Sequence, residues 1–567
     1  MQLKICYFQV IFIKHLNRIK KSGSNAFYPT NMKSYIYIFL LLFPQLINAQ
    51  NWERVFGNAG QRENFRNLNK SYDGGFFILG SINYYPDTRG WVIKTDINGN
   101  LMYDLTIGTG TGLSQGNYPS YIEPTSDGGF ILCGSHDRWT ANDIGVTKHN
   151  ACGDLEWCKI FRTDGRPDWG VEIKQTTDGG YIMVTYQYNV TDNNPKIHLF
   201  KFNSNGEVLW IEPYALTEYH PFIDLSKPYD LTITDKGDYF LSGFCHWCDD
   251  SIANGGPIPC RLKACGILAD SSRNEQWVSV FNDTIRDKYS IAGWSTQKGS
   301  GNFYIGAVDR SISVAAPSVL LVLDSLGNFI YDSIPQFPMA GNKWVEGFMV
   351  NPSFTSDGRL FTNILYADST NYFPGWFGLH ELDSLGGWHN SFIHPTAHAE
   401  SRIMVTSDDK ILAGAVVGSG LDQDIILMKF NTSLEYDSIY TAPRVYDYLC
   451  PDPIVSKTID LSDCDVIVNV EDIPTRREYY ARISLIPITP APNPAKDYVR
   501  FLLENTEYHR DIRVVCYDIF GRQLAEMPVN SGVNETGLNI SNWRPGLYMA
   551  VVYSGNRQMG KAKFVVD

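Results

Sequence analysis

From Asn51 to about Tyr440 the apolar residues fall in short runs broken by polar turns, and the pattern recurs about every fifty residues. Each copy is anchored on a turn, seen most fully as Tyr72-Asp73-Gly74-Gly75-Phe76, Ser126-Asp127-Gly128-Gly129-Phe130 and Thr177-Asp178-Gly179-Gly180-Tyr181. Degenerate copies stand at Asp235, Lys298, Asp357 and Asp408, so seven anchors are spaced 54, 51, 57, 63, 59 and 51 residues apart. The Asp-Gly turn uses glycine for a positive φ. It leads into runs such as Phe76-Phe77-Ile78-Leu79 and Phe130-Ile131-Leu132-Cys133, apolar on both faces, as a strand covered on both sides must be. After a variable polar loop, a second run ends on Lys/Leu-x-Asp/Asn, as in Val92-Ile93-Lys94-Thr95-Asp96 and Leu427-Met428-Lys429-Phe430-Asn431. Asn98-Gly99, Asn205-Gly206 and Leu326-Gly327 then signal a tight hairpin, and the outer strand carries an aromatic such as Trp157 or Trp210.

Four short strands per unit, repeated seven times, predict an all-β fold built on a seven-bladed β-propeller over residues 50–440. A linear solenoid is the competing arrangement. Asn51–Gly57 resembles the outer-strand segment Glu156–Phe161 yet precedes the first full repeat, so it could complete the last blade and remove the free edge. Leu79, Leu132 and Val184 are expected to be buried in equivalent positions.

The C-terminal stretch is organised differently. Thr489-Pro490-Ala491-Pro492-Asn493-Pro494 reads as an extended hinge, because proline cannot hold a helix or a central strand. Short runs rich in Val, Ile, Phe and Tyr follow, with turns at Phe520-Gly521 and Arg544-Pro545-Gly546, which predicts a small, immunoglobulin-like β-sandwich. The order of blocks, with Pro492, Asn493 and Pro494 first, then Gly521, then Gly546, then a terminal strand with Lys561, resembles the C-terminal sorting domain of type IX secretion cargo in Bacteroidota. That resemblance covers about a seventh of the chain. It implies recognition by the type IX machinery, passage through the periplasm, and a secreted or outer-membrane-surface destination for the rest.

The other end fits export. Lys33 precedes the apolar stretch Tyr35–Phe43, and Ile47-Asn48-Ala49 is a cleavage site before Gln50. Residues 32–49 are therefore read as a signal peptide, and 1–31 as a start-site extension. No further stretch reaches the ~20 apolar residues of a membrane helix, so no transmembrane segment is expected. Residues 1–49 carry six Lys or Arg and no acid, so the net charge of −13 becomes −19 on cleavage, which disfavours nucleic acid as a partner.

Ten cysteines remain after cleavage, and in an exported chain near neighbours are expected to pair: Cys152 with Cys158, and Cys450 with Cys464 inside a linker over 441–489. Cys245, Cys248, Cys260 and Cys265 cluster in one insertion, as disulfides or a zinc site of irregular spacing. Cys133 and Cys516 lie in apolar strands as buried thiols.

Candidate chemistry is sparse. The Ser/Thr-x-Asp-x-Gly turns at Asp73 and Gly75, Asp127 and Gly129, and Asp178 and Gly180 partly resemble the Asp-box of sialidase-type propellers, an element that stabilises turns. No arginine triplet accompanies them. Asp96-x-Asn98-Gly99-Asn100 is similar to a calcium loop but lacks the twelfth-position Glu and reads as a hairpin turn. His389, His394 and His398 are close in sequence and expected at the surface. Asp-Ser-apolar triplets at Ser325, Ser384 and Ser438 resemble O-glycosylation acceptors, or are plain turns. No catalytic residue, cofactor or metal is assigned.

The sequence thus favours a binding propeller whose ligand, a carbohydrate or a protein, is met by variable loops, with long insertions at 244–276 and 362–376. The alternative is a hydrolase or lyase acting on polysaccharide. Carboxylates brought ~5–9 Å apart near the axis would favour that enzyme.

Overall fold

The computed structural model describes residues 52–567 apart from short connecting segments, the longest being 109–116, 215–222, 249–259, 281–288, 310–317 and 334–342. The signal segment, Ala49 and Gln50, the tip of the 244–276 insertion and Ser384 lie outside the described residues.

Among the described residues, seven sheets, each of four or five strands, precede residue 470. The first strands of blades 1 to 7 are Arg62–Lys70, Asn117–Pro124, Trp169–Gln175, Ile223–Ile233, Tyr289–Gln297, the pair Lys343–Val345 and Ser353–Phe354, and His398–Val405. Each starts an antiparallel meander, so the Asp-Gly turns and the hairpins such as Asn98-Gly99 share one face of the ring. The doubly apolar runs are explained by packing. Phe77 and Leu79 of blade 1 join Phe130 and Leu132 of blade 2, while Phe76 and Ile78 turn the other way to meet Leu412 and Leu427 of blade 7. Comparable cores join blades 2 and 3, 3 and 4, 4 and 5, 5 and 6, and 6 and 7. Seven sheets with seven shared cores close a ring, which a solenoid would not do. Leu79, Leu132 and Val184 are all buried, but Leu132 faces back towards blade 1, whereas Leu79 and Val184 face forward. The counterpart of Leu79 in blade 2 is Cys133, because side chains alternate between faces along a strand.

The ring closes with both ends of the repeat region. Glu53–Phe56 pairs antiparallel with Asp424–Phe430 of blade 7, and Trp52 is completely buried beside it. Glu53 also takes a contact from His394, whose Nδ1 accepts the amide of Ala397 at 2.7 Å, leaving Nε2 facing the carboxylate at 3.3 Å. His394 and His398 are therefore buried rather than at the surface, because they wedge the turn between blades 6 and 7; His389 is exposed.

The segment read as a linker is part of the propeller. Beyond blade 7 the chain lies as a strap across the outer edges of blades 1, 2 and 3. Lys457–Ile459 pairs parallel with Leu101–Ile107, and Asp465–Ile467 pairs parallel with Leu155–Phe161. The amide of Ile211 then donates to the carbonyl of Pro474 at 3.1 Å. This placement overturns the expected cysteine pairs. The four cysteines are bonded as Cys152–Cys450 and Cys158–Cys464, 298 and 306 residues apart. Neighbours in sequence sit on the same segment, whereas the parallel pairing of Asp465–Ile467 sets Cys464 against blade 2, and Cys450, at the start of the strap, reaches Cys152 on the same blade. Cys133 and Cys516 are buried free thiols, and Cys265 is buried in the core between blades 3 and 4.

The C-terminal domain is a two-sheet β-sandwich. One sheet holds Ile488–Ala491, Tyr498–Leu503 and Glu535–Asn539; the other holds Gln523–Val529, Ile512–Tyr517, Gly546–Ser554 and Arg557–Val566. Val499, Phe501, Val514, Val552 and Phe564 fill the space between them. The domain starts earlier than the proline cluster suggests. Ile486 and Ile488 belong to its core, and Pro490 sits in an edge strand, where the missing N–H costs no ladder bond.

Candidate functional site

Each well-formed turn is a fixed polar device. In blade 1, Asp73 Oδ1 accepts from Ser71 Oγ at 2.8 Å and from the amide of Gly75 at 2.9 Å. Gly74 has φ +82°, and a Cβ on Gly75 would lie 2.0 Å from the carbonyl oxygen of Thr95, so both glycines are required. Lys94, from the Lys-x-Asp run, brings its ammonium 2.7 Å from Asp73, with neither side chain exposed. Lys148 to Asp127, Lys201 to Asp178 and Lys429 to Asp408 repeat the contact at 2.7–2.8 Å. Burial works against the charge of Asp73, but Lys94 and the hydrogen bonds hold its carboxyl below the usual range. These are scaffold groups, and the glycines at 129 and 180 repeat the close approach of Gly75. Asp96 likewise accepts from the amides of Asn98 and Asn100, both at 2.8 Å, and so caps a hairpin. Among the described residues no group of three His, Cys, Asp or Glu could hold a metal ion.

A different set converges on the axis. Four residues before the first residue of each turn stand Asn67, Tyr121, Glu172, Asp230, Asn351 and Arg402, on blades 1, 2, 3, 4, 6 and 7. In blade 5 the register shifts between Ala292 and Ser295, and Ser295, one residue nearer the turn, reaches Asp230. Their side chains meet across blades. Arg402 lies 3.8 Å from Asp230 and stacks over Tyr121 at 5.1 Å. Asp230 accepts from Ser295 Oγ at 2.6 Å, and Glu172 accepts the amide of Leu231 at 2.9 Å. Two residues nearer the turn, Lys174 lies 3.0 Å from Glu172 and 3.4 Å from Glu123, and donates to the Tyr121 hydroxyl. Asn69 donates to Glu123 at 3.2 Å.

This belt is deep but not sealed. Lys174 keeps 21% of its side-chain surface accessible and Glu123 18%. Burial raises the carboxyl of Glu123 above its ordinary range. Burial also pushes Asp230 up to about 7, with Glu172 adding to the effect and Arg402 opposing it. Burial alone would lower Lys174, yet Glu123, Tyr121 and Glu172 hold it charged. Asn67 is fully buried, and neither its Oδ1 nor its Nδ2 has a partner among the described residues. The belt was not singled out in the sequence, although its signal is there: a polar residue at a constant offset from the turn. The insertion loops singled out instead fall largely outside the described residues.

In the C-terminal domain only part of the expected sorting motif comes together. Asn493 Oδ1 accepts the amide of Val565 at 2.9 Å, and Ala495 donates to the carbonyl of Val565 at 2.8 Å, so the Pro492–Pro494 block clamps the terminal strand. Lys561 is exposed on that strand, opposite Val551. Gly521, with φ +78°, closes the turn that Asp518 caps, and Gly546 starts the strand beside Val566.

A closed propeller, strapped at its rim and followed by a β-sandwich with a core of its own, defines a passenger joined to a C-terminal module. Residues 491–567 match the family described as "Secretion system C-terminal sorting domain", and this module is the type IX sorting domain of an exported protein. The protein is thus directed to the cell surface or beyond, and no helix among the described residues is long and apolar enough to cross a membrane. The propeller is similar to several solved structures at low identity. Polysaccharide lyase Uly1 aligns at 10% identity over 68% of this chain and 93% of its own, with a TM-score of 0.39. The β-propeller domain of the Trilobed protease from Pyrococcus furiosus aligns at 9% over 68% and 100%, with 0.36. The α-L-arabinanase of Penicillium chrysogenum aligns at 12% over 65% and 93%, with 0.35. None of the curated proteins matches the chain.

Proposed function

We propose that the mature chain begins at Gln50, crosses the periplasm, and is carried out by the type IX machinery as a binding propeller that holds a polar ligand on the axial belt. The observation that supports this is Asn67. A buried amide with no partner costs about 1–3 kcal/mol, which a bound hydroxyl, amide or carboxylate would recover. The belt offers donors and acceptors together, the mixture that suits a carbohydrate or a peptide group, and each of its cations, Lys174 and Arg402, already faces an acid of the belt. Glycan and peptide arrays probed with the mature protein test the reading. Asn67→Leu should abolish the selected binding while leaving the fold intact, and binding that survives this change would refute the axial site.

The alternative is a polysaccharide hydrolase or lyase, favoured by the convergence of Glu123 and Glu172 and the raised carboxyl of Asp230. Against it, the Lys174 ammonium occupies the gap between the two glutamates, where a water or glycosidic oxygen would have to stand. Release of reducing or unsaturated ends from a polysaccharide panel, lost in Glu172→Gln, would establish the enzyme.

A further inference from the structure

We infer that the turn face carries a second binding site, for a neutral saccharide, on the side of the ring away from the charged cluster. The level two residues before each turn is occupied by Asn69, Glu123, Lys174 and Thr232 on blades 1 to 4, but by Thr296, Ser353 and Met404 on blades 5 to 7. The last three line a cavity of about 500 Å³, within the ~300–1,000 Å³ of small-ligand sites. Lys70, Phe354 and Asp409 complete its wall. The turns on which it opens are short and glycine-bearing, so this face is the opposite one from the long hairpin tips.

The lining fits one ligand class. Thr296 and Ser353, with Ser407 at the rim, supply hydroxyls that both donate and accept, which matches the vicinal hydroxyls of a sugar, while those of Ser356 and Thr406 already donate to Asp409 and Asp408. Phe354 and Met404 supply apolar surface for its C–H face. The Phe354 ring is held before any ligand arrives, with Tyr304 edge-on at 4.8 Å and the Lys298 ammonium 4.9 Å from its centroid. Asp409 is equally fixed, because its two oxygens accept the amide and the hydroxyl of Ser356, each at 2.8 Å, bridging blades 6 and 7. Lys70 faces Asp409, so the lining carries one cation against one acid. That balance offers nothing to a phosphate or a polyuronate, and preorganised side chains spare the ligand the cost of ordering them.

Titration calorimetry on the mature protein with neutral arabino-, xylo-, cello- and malto-oligosaccharides, and with oligogalacturonate as the acidic control, tests this. At least one neutral series should bind. Ser353→Phe, which fills the cavity, should weaken it by at least about tenfold, and Thr296→Val by roughly three- to tenfold, the worth of one hydrogen bond. Both variants should keep the parent melting temperature within a few degrees. Glu172→Gln in the axial belt should change this affinity less than about twofold. The inference fails if no neutral oligosaccharide binds, if oligogalacturonate binds more tightly, or if Ser353→Phe and Thr296→Val both leave the affinity unchanged. Loss in Glu172→Gln alone would assign the sugar to the axis and remove it from this cavity.

Discussion

The ammonium of Lys94 and the carboxylate of Asp73 meet at 2.7 Å with no solvent on either, twenty-one residues apart in sequence and on the second hairpin arm of the same blade. Removing one partner strands the other charge. Lys94→Met should cost about 3–5 kcal/mol in denaturant unfolding, and Asp73→Asn combined with Lys94→Met should recover much of that loss. The equivalent change at Lys201, whose partner Asp178 is 60% exposed, should cost far less, because water can solvate the orphan.

The crossed disulfides make a second prediction. Once one is closed, the other completes only a short ring, with six residues on one arm and fourteen on the other. On the chain-entropy estimate, losing either alone should cost about 3 kcal/mol and losing both roughly 5 kcal/mol more. Peptide mapping without reduction should yield Cys152 linked to Cys450 and Cys158 linked to Cys464. A Cys152–Cys158 peptide would overturn the strap.

Leu132 packs in the core shared by blades 1 and 2. Leu132→Ala should cost about 2–4 kcal/mol through lost contacts and a cavity. Because that core bridges blades, the loss should lower the single cooperative transition rather than split off a blade, as calorimetry would show.

Asp230 sets a pH dependence. Its folded carboxyl titrates near 7, above the ordinary unfolded value near 4, so the folded state binds the proton more tightly. The resulting stabilisation is complete below about pH 4 and is lost as the pH rises through 7. Buried His149 and His380, each held down to about 3 by burial, act in the opposite sense, losing stability as the pH falls below 6.5. The effect of Asp230 is therefore read as a difference. Asp230→Asn should gain stability relative to the parent at pH 8 and lose that advantage at pH 5.

The boundary of the sorting domain yields the fifth prediction. Cutting at residue 490 removes Ile486 and Ile488 from the core they complete, leaving apolar residues on the passenger. A chain ending at 484 should stay soluble in the periplasm with the propeller folded, whereas one ending at 490 should aggregate more. A reporter fused to 484–567 should be exported better than one fused to 490–567, scored as the secreted fraction.

Much of this architecture was readable in the chain because its causes are local. A glycine that must adopt positive φ and a Lys at fixed distance from an Asp both leave a repeat signature, and the spare outer strand at Trp52–Gly57 announces closure. The disulfide partners were not readable, since proximity in sequence says nothing about a strap positioned by parallel pairing to Leu101–Ile107 and Leu155–Phe161. The axial belt was hidden for another reason. Asn67, Glu172 and Arg402 look like ordinary exposed residues one at a time, and only ring closure turns a shared offset into one cluster.

The strap also settles how the passenger would bear load. Tension applied through the sorting domain enters at residue 485 and first peels hydrogen bonds, such as those of Pro474 and Asp465–Ile467. It then stops at Cys464, where a covalent bond passes the force into Cys158 on blade 2. A pull on the tail thus enters the ring through a covalent link on blade 2 rather than through the chain end of blade 7.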